Sequence, residues 1–409
     1  MKDFFKVEDL YKALEYASDF SFVDYQQVHL TDSLGRIAAA DIFCQDNIPN
    51  FSRSTMDGYA VAAASSFGAT EACPAYLTVK GTVEMGAQPE FNIKTGEAAR
   101  ISTGGMLPEG TDSVVMIEHV QALDDKTIEV YKSVAPGSNI IEAGEDVGKG
   151  EIILSCGQKI RAQEAGMLAA AGVENIRVYK KPVVGIISTG DEVIEVNEKP
   201  GPGQIRDINT YTLSSLVLKA GGIPLLFGIV KDSFDDLLKA CLTALNKTDM
   251  LIISGGSSVG VRDFTLDVFS GLPDSTVLFH GISISPGKPT ILAKSNNKAL
   301  WGLPGHAVSA MIVFEIVVKP FVERMGGYVK KRGVEPSFTA TLTRNIASSQ
   351  GRTDFVRGKL IKKDKILYVE PVLGKSGLIS NMVKADVLVK IGKNSEGIEK
   401  GAKVRVLPI

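Results

Sequence analysis

Cysteine is scarce: four residues in 409, Cys44, Cys73, Cys156 and Cys241, with no C-x-x-C pair. That spacing builds neither a zinc knuckle nor a disulfide framework and points to a reducing compartment. A cationic surplus is missing too, since 45 Lys and Arg face 47 Asp and Glu for a net charge of −2. Binding bulk nucleic acid requires such a surplus to displace counterions, so no nucleic-acid partner is expected. No uncharged apolar run nears the roughly 18–20 residues of a membrane helix. The longest, Ala307 to Val318, contains Glu315 and leads into Lys319-Pro320. The first nine residues are too charged for the apolar core of a signal peptide. The expectation is a cytoplasmic protein without membrane contact.

Two nucleotide signatures are absent as well. Pro286-Gly287-Lys288-Pro289 puts proline where a P-loop needs Ser or Thr, and no G-x-G-x-x-G follows the first strand of the α/β pattern. Neither a P-loop NTPase nor a standard NAD fold is therefore supported. The four histidines, His29, His119, His280 and His306, show no ligand spacing, and no Ser-His-Asp arrangement is readable. His306, at a predicted helix start, reads as structural.

What the chain does have is 41 glycines, and their placement divides it. A chain of this length is expected to hold about two to four domains. Residues up to about 45 begin with a helical pattern around Val7 to Leu14. From 46 to 139, short β-rich runs such as Tyr76 to Lys80 and Val114 to Ile117 predict a small inserted β-rich domain. Segments 1–45 and 140–178 would form an N-terminal linker domain, with a helix over Gln163 to Ala171 that stops at Gly172. Lys180-Lys181-Pro182 marks the next boundary. From 179 to 327, strands starting at Val183, Pro224, Met250 and Ala299 alternate with helices over Tyr211 to Ala220, Phe234 to Leu245 and a long one reaching Met325. That alternation predicts a doubly wound α/β domain. A small all-β domain is expected over 335–409. The fold class is thus α/β plus all-β, in several domains.

In such sheets ligands bind beyond the carboxyl ends of the strands. Here those ends read Ser188-Thr189-Gly190-Asp191-Glu192, Lys231-Asp232-Ser233, Ser254-Gly255-Gly256-Ser257-Ser258 and Pro304-Gly305-His306. Glycine-rich turns let backbone N–H groups face an anion. Nearby carboxylates hold phosphate only through a cation, and Mg2+ suits one or two carboxylates plus substrate oxygens. Asp191, Glu192, Asp232 and Asp263 are the candidates; taken singly, each also reads as a turn or N-cap residue. The Asp57-Gly58 pair reads by itself as a hairpin turn.

Eight short segments follow one another along nearly the whole chain: Thr55-Met-Asp-Gly-Tyr-Ala-Val, Ile101-Ser-Thr-Gly-Gly, Gly144-Glu-Asp-Val, Ser188-Thr-Gly-Asp-Glu, Gly203-Gln-Ile-Arg-Asp-Ile-Asn209, Gly255-Gly-Ser-Ser-Val-Gly, Pro286-Gly-Lys-Pro and Gly302-Leu-Pro-Gly. Each is weak alone, but the ordered set resembles the molybdopterin molybdenumtransferase family, to which the C-terminal domain of gephyrin is related. The resemblance implies insertion of molybdate into adenylylated molybdopterin with Mg2+, releasing AMP. It places functional roles on Asp57, Thr103, Glu192, Asp232 and Pro304. An oxyanion pocket would use Lys288, Ser309, Arg352 and Ser380, and the Gly255, Gly256, Ser257, Ser258 turn with Asp263 would hold the pterin substrate. Asp191, Glu192 and Asp232 would carry Mg2+. It further implies an elongated homodimer whose sites combine one subunit's β domain with the other's α/β domain, and transient contact with other cofactor-biosynthesis proteins. The chain departs from the family pattern at Ala307, where a second proline is usual, at Ser285, where lysine is frequent, and at Ile141, Glu142 and Ala143, where arginines are common. Two rival readings share the α/β domain: a non-catalytic pterin-binding or scaffold paralogue, and an adenylyltransferase, against which the additional β domains argue.

Overall fold

A computed structural model describes residues 7–255, 264–329 and 337–409. The part that positions the site is a six-stranded sheet. In chain order its elements are β1 (Val183–Thr189), α1 (Asn209–Lys219), β2 (Ile223–Val230), α2 (Phe234–Leu245), β3 (Met250–Ser254), α3 (Phe264–Gly271), β4 (Ser275–His280), β5 (Ile291–Ser295), β6 (Lys298–Leu303) and α4 (Ala307–Val313). The strand order is β2-β1-β3-β6-β5-β4. The first four strands run parallel, while β5 and β4 extend the sheet antiparallel. That antiparallel extension is not legible in the sequence pattern.

The unbroken apolar strands are explained by burial on both faces. Along β3, Met250 and Ile252 enter one core with Val184, Ile186 and Trp301, while Leu251 and Ile253 enter the other with Ile187 and Leu300. The period-2 pleat sorts consecutive residues between the two cores. Helix α1 and the segment from Val308 to Met325 cover the first face, and α2 and α3 cover the second. The helix expected to run unbroken to Met325 is instead three pieces: α4, a π-helical stretch over Phe314–Val318, and a further α-helix over Lys319–Met325. The π-helical stretch lies inside the first core, where Phe314, Val317 and Val318 are fully buried.

The helical start of the chain is short, Leu10–Glu15, and a strand over Tyr25–His29 follows. Leu10, Ala13, Ala17 and Phe20 join the first α/β core rather than the small core of Ala38, Leu154, Ile160, Leu168, Ile176 and Val178. The inserted β region is a six-stranded sheet ordered Ser113–Met116, Gly58–Val61, Glu97–Ile101, Ala75–Thr82, Thr127–Val130, Val120–Ala122. Gly58 is needed there because a Cβ would stand 1.9 Å from the Val115 carbonyl oxygen. The expected Asp57-Gly58 hairpin does not form: Arg53–Ser54 pairs with Ile140–Ile141, and Gly58–Val61 pairs within the larger sheet. Neither strand is the other's neighbour, so the Asp57 bend connects two sheets.

The C-terminal strands close on themselves. Thr353–Lys363, Ile366–Pro371, Phe338–Leu342, Lys403–Pro408 and Val387–Ile391 follow in order, and the last pairs back to the first. Closure removes the sheet edges. A two-residue strand at Ile284–Ser285, reached after β4, adds in parallel to Thr353 and Asp354. It ties this barrel to the α/β unit.

Candidate active site

Strands β1 and β3 are neighbours, but the chain leaves β1 for β2 on one side and returns to β3 on the other. This reversal makes a crevice at their carboxyl ends. A cleft of about 620 Å3 lies there, lined by the ends of all four parallel strands. The register levels these ends: Ser188 pairs with Ser254, and Ser254 with Leu303. Glycine permits the convergence. Gly255 has φ +112, and a Cβ on it would lie 2.1 Å from the Thr189 carbonyl oxygen. A Cβ added to Gly305, in the turn after β6, would stand 3.6 Å from the Gly255 Cα.

A polar network holds the strand ends together. Thr189 Oγ1 donates to Asp232 Oδ1 at 2.6 Å, and the Asp232 N–H donates to Asp191 Oδ1 at 3.4 Å. Asp207, two residues before α1, accepts from the Thr210 N–H at 3.1 Å and from its hydroxyl at 2.5 Å, which satisfies one donor of the first turn. Asn209 spans two turns, donating to Ser254 Oγ at 2.6 Å and to the Gly305 carbonyl at 2.8 Å. Its Oδ1 is buried without a partner. The lining carries the carboxylates of Glu192, Asp207 and Asp232 against the guanidinium of Arg206. An anionic ligand would therefore meet net repulsion unless a cation mediated its contact.

Of the expected site residues, Glu192, Asp232, Gly255 and Pro304 line this cleft. Asp191 stands beside Asp232 without lining it. Gly256, Ser257, Ser258 and Asp263 lie outside the described residues. Among the described residues no group of three His, Cys, Asp or Glu side chains stands ready to hold a metal. Lys288 is exposed next to the cleft-lining Pro289. The Ile284–Ser285 pairing brings its loop alongside Arg352, whose Nε stands 2.9 Å from Asp354 Oδ1. Ser309 is buried in the first turn of α4. Ser380 is exposed at the start of a short helix, Ser380–Val383. That helix follows the barrel loop that reaches the cleft: Ser376 Oγ is 3.0 Å from His306 Nδ1, the Ser376 carbonyl accepts from the Val308 N–H at 3.2 Å, and Gly377 lines the wall. Asp57 and Thr103 do not line the cleft of their own chain. They form a local unit, with the Thr103 N–H donating to Asp57 Oδ1 at 2.7 Å and its hydroxyl at 3.2 Å.

Sequence reasoning had no role for Asn209, Asp207, Arg206 or Ser376. The first three fall in the Gly203 to Asn209 segment, whose match to a family motif was the only available signal. Ser376 carried none.

Fold and cleft together define an α/β protein with a ligand-sized cleft at a sheet switch point, flanked by β modules. The chain belongs to the molybdopterin molybdenumtransferase family, whose work is molybdenum cofactor biosynthesis. Residues 7–172 match the MoeA N-terminal region (domain I and II), 185–324 the "Probable molybdopterin binding domain", and 339–409 the MoeA C-terminal region (domain IV). The molybdopterin molybdenumtransferase of Haemophilus influenzae is 34% identical, covering 94% of this chain and 93% of its own. That of Bacillus subtilis is 33% identical, with 93% and 89% covered. The solved molybdopterin biosynthesis MoeA protein of Pyrococcus horikoshii OT3 superposes with a TM-score of 0.85 at 31% identity, covering 99% of this chain and 100% of that one.

Proposed function

We propose that this enzyme inserts molybdate into adenylylated molybdopterin with the help of Mg2+ and releases AMP. The observation that carries the reading is the pairing of a switch-point cleft of nucleotide-accommodating size with carboxylates, Glu192 and Asp232, at two of its strand ends. The donor set fits Mg2+, which takes hard oxygen ligands and leaves most positions to water and substrate. Glu192 and Asp232 would hold it as a pair, with Asp191 beside them against the Asp232 N–H, and when bound it would supply Lewis-acid polarisation of the pterin–AMP phosphoanhydride. The remaining work falls to the chain. The Gly255 turn and the residues after it bind the pterin substrate, and Pro304 shapes the wall beside that turn. Lys288, Arg352, Ser309 and Ser380 give two cations and two hydroxyls, sensible donors for a tetrahedral dianion. The Asp354 carboxylate, held by Ser348 Oγ at 2.9 Å, orients Arg352.

Asp57 and Thr103 enter the same reaction through a homodimer, each site taking them from one chain and Glu192, Asp232 and Lys288 from the other. The enzyme would act in the cytoplasm and contact other cofactor-biosynthesis proteins transiently; among the described residues no helix is long and apolar enough to cross a membrane. The test is AMP release from adenylylated molybdopterin with Mg2+ and molybdate. Release that needs neither metal nor molybdate would overturn the assignment. Subunit exchange between inactive Asp57→Ala and Glu192→Ala proteins tests the shared site. About half the dimers become mixed, each with one intact site, so activity should return to roughly a quarter of wild type. No recovery after proven exchange would return Asp57 to a structural bend.

A further inference from the structure

A second cavity of about 130 Å3 opens at the other edge of the α/β sheet, where the strands begin. It is walled by Gly35 to Ile37, by the boundary segment Tyr179 to Pro182, and by the ends of α1 and of the Lys319–Met325 helix. Strand β1, seven residues long, separates it from the active-site cleft by about 20 Å. Five cationic side chains line it, Arg36, Lys159, Lys180, Lys181 and Lys219, with Glu323 as the lining carboxylate. In a chain whose net charge is −2 this convergence does not follow from general basicity.

The cations are poorly neutralised. Lys180 is paired with Asp24 at 3.2 Å. Among the described residues Arg36, Lys159, Lys181 and Lys219 have no ion pair. Arg36 is half-buried and has only neutral acceptors: the Tyr179 carbonyl at 2.9 Å and, in the orientation that satisfies both groups, the Gln26 side-chain oxygen at 2.9 Å. The two helix C-termini at the wall supply about half a negative charge each. With Glu323 and Asp24 also counted, about two positive charges remain uncompensated around the cavity. A half-buried guanidinium with no counter-charge is costly unless an anion completes it.

We propose that this pocket is a binding site for a tetrahedral oxyanion of the phosphate class, free or as the phosphate group of a small metabolite. Its volume suits one such group and is far below that of the main cleft. Its walls come from both the N-terminal segment and the α/β unit, so an occupant would bridge the two and stabilise their junction. The charge surplus matches a dianion.

Equilibrium dialysis of the full-length chain with labelled orthophosphate, at constant ionic strength in chloride, tests this. The wild type should bind orthophosphate, and so should Lys288→Ala, which alters the main site. The triple variant Lys159→Gln, Lys181→Gln, Lys219→Gln should lose one bound phosphate per chain or weaken it at least about tenfold, while the corresponding triple Lys→Arg variant retains it. Arg36→Gln should weaken it to a similar degree, which provides a second readout if the triple Gln variant fails to fold. Competition by glycerol 3-phosphate would assign the site to phosphate monoesters, and its absence to the free oxyanion. No orthophosphate bound at about 10 mM, a concentration that detects sites of even millimolar Kd, would overturn the proposal. So would unchanged binding in the folded triple Gln variant.

Discussion

Replacing Asp232 by Asn separates the two things its carboxylate does. Structurally it accepts one hydrogen bond, from Thr189 Oγ1 at 2.6 Å, at a half-buried position. A bond to a charged acceptor is worth about 1.5–3 kcal/mol and a neutral one about 0.5–1.5, so the amide, which keeps an acceptor oxygen, should cost about 1 kcal/mol of stability. Chemically the change removes one of the two lining carboxylates proposed to carry Mg2+. Losing one preorganised electrostatic partner typically costs about 100-fold or more in turnover, which is roughly 3 kcal/mol of barrier. The matched control is Thr189→Val, which deletes the donor and keeps the charge. It should lower stability by a similar amount yet hold turnover within about tenfold. AMP release at saturating substrate, read beside the thermal midpoint, distinguishes the two. If Asp232→Asn kept wild-type turnover, or if Thr189→Val lost as much turnover as Asp232→Asn, the reasoning would fail, because the hydrogen bond rather than the charge would then matter.

Gly255→Ala should lower both the thermal midpoint and AMP release at least severalfold. The new Cβ would meet the Thr189 carbonyl at 2.1 Å on a backbone with φ +112, and such strain costs about 1–3 kcal/mol before any clash; wild-type behaviour would show that this turn is not packed as described. Ala307→Pro should be tolerated within about 1 kcal/mol. Ala307 is the first residue of α4, where the N–H has no intrahelical acceptor, and His306 before it is already extended at ψ 119; a midpoint loss of many degrees would contradict this. Acid unfolding should show a contribution from Glu164, whose carboxyl the Arg161 guanidinium holds down at about 2, against an ordinary value of 4.5. Because the folded value lies below the unfolded one, this stabilisation is complete above about pH 4.5 and is lost as pH falls toward 2. Arg161→Ala should remove most of that contribution, lowering stability near neutral pH and flattening its fall between about pH 4.5 and 2, and an unchanged acid limb would refute the pairing.

Where local pattern and burial coincide, the chain alone determined its structure. The inner parallel strands β1, β3 and β6 are continuous apolar runs because both their faces are covered, whereas the edge strand β2 leaves Ile223 and Leu226 exposed, and α2 lies over the expected Phe234 to Leu245 because its apolar stripe meets one core. The convergence of the residues after those strands was legible too, since a parallel sheet carries all its strand ends to one edge; Glu192, Asp232, Gly255 and Pro304 line one cleft there. Non-local pairings were decided only by tertiary structure. No periodicity announces that Ile284–Ser285 will join a strand beginning at Thr353, that Phe20 will fill the α/β core, or that Ser376 will reach His306. Asn209, just before the helix expected over Tyr211 to Ala220, joins Ser254 to Gly305 only once the sheet has brought those two residues together. Such contacts arise from which surfaces remain to be covered once local elements exist, a property of the packed whole that no single window of residues encodes.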